Sequence, residues 1–144
     1  MFTKPKNGWT EIHLEDFEGL GSYVQDVPAE AMQAAIAALR QDIPLVLRFD
    51  EEGSAFTLTA ADETEIRTEG DFGSEKYDIK VSKSDLIRNI KDDMEKYFAD
   101  WVQFSEDYAY AEDENEQQEV YQKRESRLRA LLAELKEELQ GHTI

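Results

Sequence analysis

The segment 44–81, PLVLRFDEEGSAFTLTAADETEIRTEGDFGSEKYDIKV, decides the architecture. Leu45, Leu47 and Phe49 alternate with Val46 and Arg48, the period-two pattern of a half-buried strand. Pro44 is tolerated because it opens the run. Glu51-Glu52-Gly53 predicts a tight turn in which Gly53 is free to take a left-handed conformation. Phe56 and Leu58 mark the return strand, Ala61-Asp62-Glu63 the next turn, and 64–68 alternates around Ile66. Beyond Gly70-Asp71-Phe72-Gly73, the residues Tyr77, Ile79 and Val81 form a fourth inward row. Connections this short make an antiparallel meander. Its other face, with Arg48, Glu65, Arg67, Lys76, Asp78 and Lys80, is expected to look toward water.

Upstream, Trp9 to Leu14 alternates and reads as a strand with Ile12 and Leu14 on one side. Leu20 to Val24 alternates too, but Gly19 and Gly21 weaken it. Pro28 suits the start of a helix, and Met32, Ala35, Ile36 and Leu39 recur at helical spacing, which predicts a helix over about 29–41. Downstream, Ser82-Lys83-Ser84-Asp85 fits a capping box in which Ser82 accepts from the third helical amide. Ile87, Ile90, Met94, Tyr97, Phe98 and Trp101 then fall on one helical stripe. No glycine or proline occurs between Gly73 and Gly141, so nothing local marks where that helix stops. A final helix is expected over about 115–140, capped by Asn115 with Gln118 and ended by Gly141. Its apolar stripe is Tyr121, Leu128, Leu131, Leu132, Leu135 and Leu139.

The expected fold is therefore α+β: an antiparallel four- to five-stranded meander with three helices packed mostly on one face. A chain of 144 residues fits a single domain spanning 1–144. The last helix either packs on that domain or serves a partner. Because Tyr121, Leu128 and Leu135 are spaced by sevens, a homodimer through this helix is one option.

Charge dominates the composition. Thirty-three acidic residues against sixteen basic give −17. Two carboxylates about 7 Å apart in water repel by only about 0.6 kcal/mol, but many such pairs oppose compaction and repel phosphates. Direct binding to nucleic acid or an anionic membrane is thereby disfavoured, and basic partners are favoured. The acidity is uneven. From Val120 to Gln140 five basic residues face four acidic ones, and that +1 leaves −18 for the rest of the chain.

Catalytic signals are absent. There is no cysteine, hence no disulfide, thiolate metal site or cysteine nucleophile. His13 and His142 are too far apart in sequence to form a metal pair, and no P-loop, G-x-G-x-x-G or G-x-S-x-G occurs. Asp62 with Asp78-Ile79-Lys80 has the acidic–acidic–lysine look of metal-dependent nucleases, a pattern that a chain with this many acids matches by accident. Neither Asp50-Glu51-Glu52-Gly53 nor Asp113-Glu114-Asn115-Glu116 has the spacing of an EF-hand loop. No enzyme activity, cofactor or metal is expected. The N-terminus turns polar at once and no run approaches about 20 apolar residues, so neither a secretory signal nor a membrane span is expected and the cytoplasm is the default.

The composition points to binding. Carboxylates on one face could occupy a basic surface or nucleic-acid cleft of a target protein, as an immunity-type, antitoxin-like or anti-defence inhibitor would. The partner would be a basic protein such as a nucleic-acid-acting toxin or defence enzyme. Candidate contacts are Asp50, Glu51, Glu52, Asp62, Glu63, Glu65, Glu69 and Asp71 around the meander turns. A second set is Glu106, Asp107, Tyr108, Tyr110, Glu112 and Asp113, where tyrosines and carboxylates interleave. The competing reading for Tyr108 is that it continues the buried stripe of Trp101 and Phe104. The alternative function is a non-catalytic interaction or self-assembly module whose acidity serves only solubility.

Overall fold

In the computed structural model, which describes residues 1–70 and 73–142, the meander is β3 (Leu45–Asp50), β4 (Ala55–Ala60), β5 (Thr64–Glu69) and β6 (Lys76–Ile79), paired in that order and all antiparallel. Leu47 faces Leu58, Leu58 faces Ile66, and Phe49 faces Phe56. Of the predicted inward rows, Leu45, Leu47, Phe49, Phe56, Leu58, Ile66 and Ile79 are buried, whereas Tyr77 and Val81 of the fourth row are only half-buried and Val81 lies beyond the end of β6. Arg48, Arg67, Lys76, Asp78 and Lys80 are exposed and Glu65 is half-buried, so the far face is open as the alternation requires.

The first strand does not join this sheet. Trp9–Leu14 (β1) pairs with Phe17–Ser22 (β2) in a separate two-stranded sheet. Gly19 and Gly21 sit in β2 because neighbours need the space. A Cβ on Gly19 would lie 2.5 Å from the Phe56 ring, and one on Gly21 would lie 3.0 Å from Thr10. Of the glycines that weakened the strand pattern, Gly19 lets β2 lie against the meander, and Gly21 lets it close on Thr10 and Ile12 of β1. Phe17 packs edge-on against Phe56 and Tyr77, at 4.9 and 5.2 Å between centroids.

No backbone ladder joins β2 to β3; side chains do it instead. Glu51 accepts from the Leu20 N–H at 3.0 Å, and Glu52 accepts from the Ser22 hydroxyl at 2.9 Å. On the outer edge of β3 the Gln25 amide stands in for a strand residue. Its nitrogen donates to the Arg48 carbonyl and its oxygen accepts from the Asp50 N–H at 3.0 Å.

Helix α1 runs Val27–Gln41, with Pro28 in its first turn, and buries its alanine-rich face with Met32 and Ile36. Helix α2, Lys83–Lys96, begins as expected, with Ser82 accepting from Asp85 at 3.1 Å. The long stripe then breaks. Tyr97 leaves helical geometry at φ −112°, and a short helix α3, Phe98–Gln103, follows. The break lets the Trp101 indole donate back to the Asp93 carbonyl at 3.1 Å, while its ring packs edge-on against Phe2 and Phe104. There are therefore four α-helices among the described residues rather than three. The fourth, α4, spans Glu114–Gly141. Its cap is Asp113, which accepts from Glu116, rather than Asn115 with Gln118. Leu128, Leu132, Leu135 and Leu139 are buried within the chain, and α4 lies along α1.

Arg124 holds this helical layer together. On α4 but only 9% exposed, it donates to the carbonyls of Val102 (2.8 Å), Trp101 (3.0 Å) and Phe104 (3.1 Å). Its other contacts are the two carboxylate oxygens of Asp26 at the start of α1, at 3.2 and 3.4 Å. One guanidinium thereby adds donors to three carbonyls at the C-terminal end of α3 and ties three helices.

Two stability predictions follow from this packing. Arg124→Ala, which takes the guanidinium donors from the Phe104 carbonyl and one of two donors each from the Trp101 and Val102 carbonyls and the Asp26 carboxylate, is expected to cost about 3 kcal/mol, and Arg124→Lys to recover only part because an ammonium lacks the planar fork. The readout is the urea midpoint at unchanged slope. Gly19→Ala is expected to lose about 1–3 kcal/mol by forcing the Phe56 ring aside. A midpoint within experimental error of the parent would show that β2 has room to spare.

Candidate functional site

The carboxylates predicted around the meander turns divide between the two ends of the sheet. Asp50, Glu51, Glu52 and Glu69 lie at one end, while Asp62 and Glu63 lie at the other, about 17 Å away for strands of this length. Asp71 falls outside the described residues. A shallow depression of about 450 Å³ gathers Glu51, Glu52, Glu69 and Glu75. Two of these carboxylates are already engaged in joining β3 to β2. At the opposite end, Asp62, Glu63, Asp78 and Lys80 line a depression of about 460 Å³. The nuclease-like residues do converge there. Even so, no group of three or more His, Asp or Glu placed to hold a metal occurs among the described residues.

The open sheet face is not uniformly acidic. Register places Arg48, Thr57, Arg67 and Lys76 in one cross-strand row. That row sits between acidic neighbours and neutralises them: Arg48 pairs with Glu69 at 3.4 Å, Lys76 with Asp78 at 3.6 Å, and Arg67 with Glu65.

The second predicted set behaves differently. Between Lys96 and Lys123 the chain has no lysine or arginine but eight carboxylates. They are Asp100, Glu106, Asp107, Glu112, Asp113, Glu114, Glu116 and Glu119, and none forms an ion pair among the described residues. Two have local work. Asp113 caps α4, and Glu116 reaches back to accept from the Glu112 N–H at 2.7 Å. Both favour a negative charge at a helix N-terminus. Residues Glu106–Tyr110 form a 3-10 turn started by Ser105, which accepts from Asp107. The turn separates the two tyrosines. Tyr108 turns inward and donates its hydroxyl to the Val102 carbonyl at 2.9 Å; Tyr110 points out, 75% exposed. Tyr108 therefore does pack, but from a separate turn and not as a continuation of the helical stripe.

Beside this acidic limb lies an open groove of about 610 Å³. One wall is α3 and the start of α4, contributing Asp100, Gln103, Tyr108, Gln117, Gln118 and Tyr121; the other is the N-terminal turn with Tyr23. Sequence reading missed that second wall, although its signal is plain. Asn7-Gly8 is the strongest short hairpin dipeptide. Both residues have positive φ, 54° and 80°, and Lys6 and Trp9 exchange N–H···O=C bonds at 2.9 and 3.0 Å. Residues 1–6 consequently run back along β1, with Thr3 N–H bonded to the Glu11 carbonyl at 2.9 Å and His13 N–H to the Met1 carbonyl at 2.8 Å. Gly8 is also where the Tyr23 ring rests, since a Cβ there would meet it at 2.9 Å.

No protein-family model, curated protein or solved structure matches the chain. The site is therefore read from its chemistry alone. Neither histidine lines the groove. His13 lies 3.5 Å from Glu18 on the β1–β2 hairpin, and His142 lies 4.0 Å from Glu138 at the far end of α4. The lining combines aromatic rings and side-chain amides with Lys6, Asp100 and Ser105.

Burial pushes the Tyr108 phenol above the ordinary tyrosine value; Arg124 opposes the shift, and Tyr121 and Asp107 add to it. The folded chain therefore keeps this proton where the unfolded chain releases it. The stabilisation is complete below about pH 10 and declines as pH rises through the folded value. In Tyr108→Phe this part of the alkaline decline is expected to vanish, leaving only a constant offset of about 1 kcal/mol from the lost hydrogen bond. Urea midpoints taken between about pH 9 and about pH 11 check it. Parallel declines in the two proteins would contradict the assignment.

Proposed function

We propose that the chain is a small acidic inhibitor of immunity or antitoxin type, which binds a basic surface of a target protein through the limb spanning 97–122. The observation that supports this reading is the contrast in charge pairing. On the sheet face, cations of the same chain answer the carboxylates, whereas eight carboxylates on the limb have no counter-charge. Unpaired like charges on one limb oppose folding slightly and are useful to a partner that brings the cations. They steer encounter, and association can reach about 10⁸ M⁻¹s⁻¹ at low salt. Tyr110, exposed among them, adds contact area at low entropic cost. A nucleic-acid-binding cleft is the target surface such a limb fits best, because its cations are spaced to meet an array of anions. We place the encounter in the cytoplasm; no helix among the described residues is long and apolar enough to cross a membrane.

The self-assembly alternative draws little support from α4, where Leu128, Leu132, Leu135 and Leu139 are already buried against the rest of the chain and Leu131 is partly so.

The test uses the partner recovered with this chain from its host and a variant carrying Glu106→Gln, Asp107→Asn, Glu112→Gln and Glu119→Gln, which leaves the Asp113 and Glu116 caps intact. The association rate constant of the parent is expected to fall at least about tenfold between about 50 and about 500 mM salt, and the variant to start lower and fall less. Rates indifferent to both salt and the four substitutions would remove the proposal.

A further inference from the structure

We infer that the groove between the N-terminal turn and α3–α4 seats an arginine side chain presented by an extended basic segment of the partner. This deepens the reading of the limb as a surface for a basic protein and rests on it. Tyr23, Tyr108 and Tyr121 all line the groove, so a planar cation entering it meets aromatic rings from two walls. The Tyr108 proton is held by the Val102 carbonyl, which leaves a ligand only the ring and the oxygen lone pairs. Gln103, Gln117 and Gln118 add neutral carbonyl oxygens along the α3–α4 wall.

Charge selects the occupant. Lys6 is the one cation among the lining residues and Asp100 the one carboxylate, so the interior is near neutral. The bias comes from the rim. Glu114 sits one helical turn before Gln117 and Gln118 on the same face, and Glu106 and Asp107 immediately precede Tyr108. An anionic ligand would meet these carboxylates with no cation of the limb to offset them. A guanidinium is weakly hydrated and planar, stacks on tyrosine and carries five donors, whereas the ammonium of lysine is compact and strongly hydrated. A site built from aromatic rings and amide oxygens with a carboxylate rim therefore distinguishes the two.

The probe is a short acetylated and amidated glycine-rich peptide with one central arginine, compared with its lysine and citrulline counterparts. Each is titrated into the full chain at low salt and followed by NMR. The arginine peptide is expected to shift Tyr23, Tyr108 and Tyr121 and to bind about threefold to fivefold more tightly than the lysine peptide, with citrulline weaker still. Tyr23→Ala should abolish the preference. Gln118→Ala, on an exposed helix position away from the Gly8–Tyr23 contact, should weaken the arginine peptide without disturbing the fold. Equal binding of arginine and lysine, with shifts confined to 106–119, would overturn the groove assignment and leave the charge reading standing. No shift with either cationic peptide would overturn both.

Discussion

The guanidinium of Arg124 is the point on which the helical half of the molecule depends. Helix α3 is only six residues long, and the chain that follows it supplies few donors for its last carbonyls: Phe104 N–H bonds the Trp101 carbonyl and Ser105 N–H the Gln103 carbonyl. Arg124 reaches across from α4 to add its own, and its remaining donors meet Asp26 at the mouth of α1. The Asp26 side chain makes no capping bond to its own helix; its carboxylate faces Arg124 and Arg127 instead. The α3–α4 wall of the groove takes its shape from this arrangement. Val102 accepts from both Arg124 and Tyr108, which locks the 3-10 turn to the same anchor.

The strongly acidic composition conceals two different solutions to repulsion. On the sheet, cross-strand pairing interleaves a basic row with acidic ones, and the charges cancel at short range. At the β3–β4 turn, Glu51 and Glu52 are turned into hydrogen-bond acceptors for β2 and become part of the fold. The limb does neither, apart from the two caps of α4. A net charge therefore says little about where a protein is acidic toward a partner. What matters is which carboxylates the chain has already answered.

The meander, its register, α1, the Ser82 cap and the buried face of α4 were legible because each rests on a local period or a local capping residue. The break at Tyr97 was not, because no glycine or proline marks it. It goes with a long-range contact, the packing of Trp101 against Phe2. Gly19 and Gly21 argued locally against a strand, whereas the requirement they meet is long-range, the approach of Phe56 and Thr10. Arg124 reads as one more base in a run of surface charges, and nothing short of the packed helices distinguishes it from Arg127 or Arg129. Half of the groove was legible in principle through Asn7-Gly8. Its position opposite Tyr121 depends on how the hairpin docks, which no window of sequence contains.

The Gln25 amide on the outer edge of β3 has a consequence for the protein in concentrated solution. An uncovered strand edge is a template for another chain, and β3 also presents an exposed valine, Val46. By filling the positions at Arg48 and Asp50, a single side chain interrupts the row that an incoming strand would need. Mutual repulsion between such acidic molecules fades once salt shortens its reach to a few ångströms. A hydrogen-bonded plug does not fade with it, so the molecule keeps a contact-range safeguard against fibrous association in the brine where its charge no longer protects it.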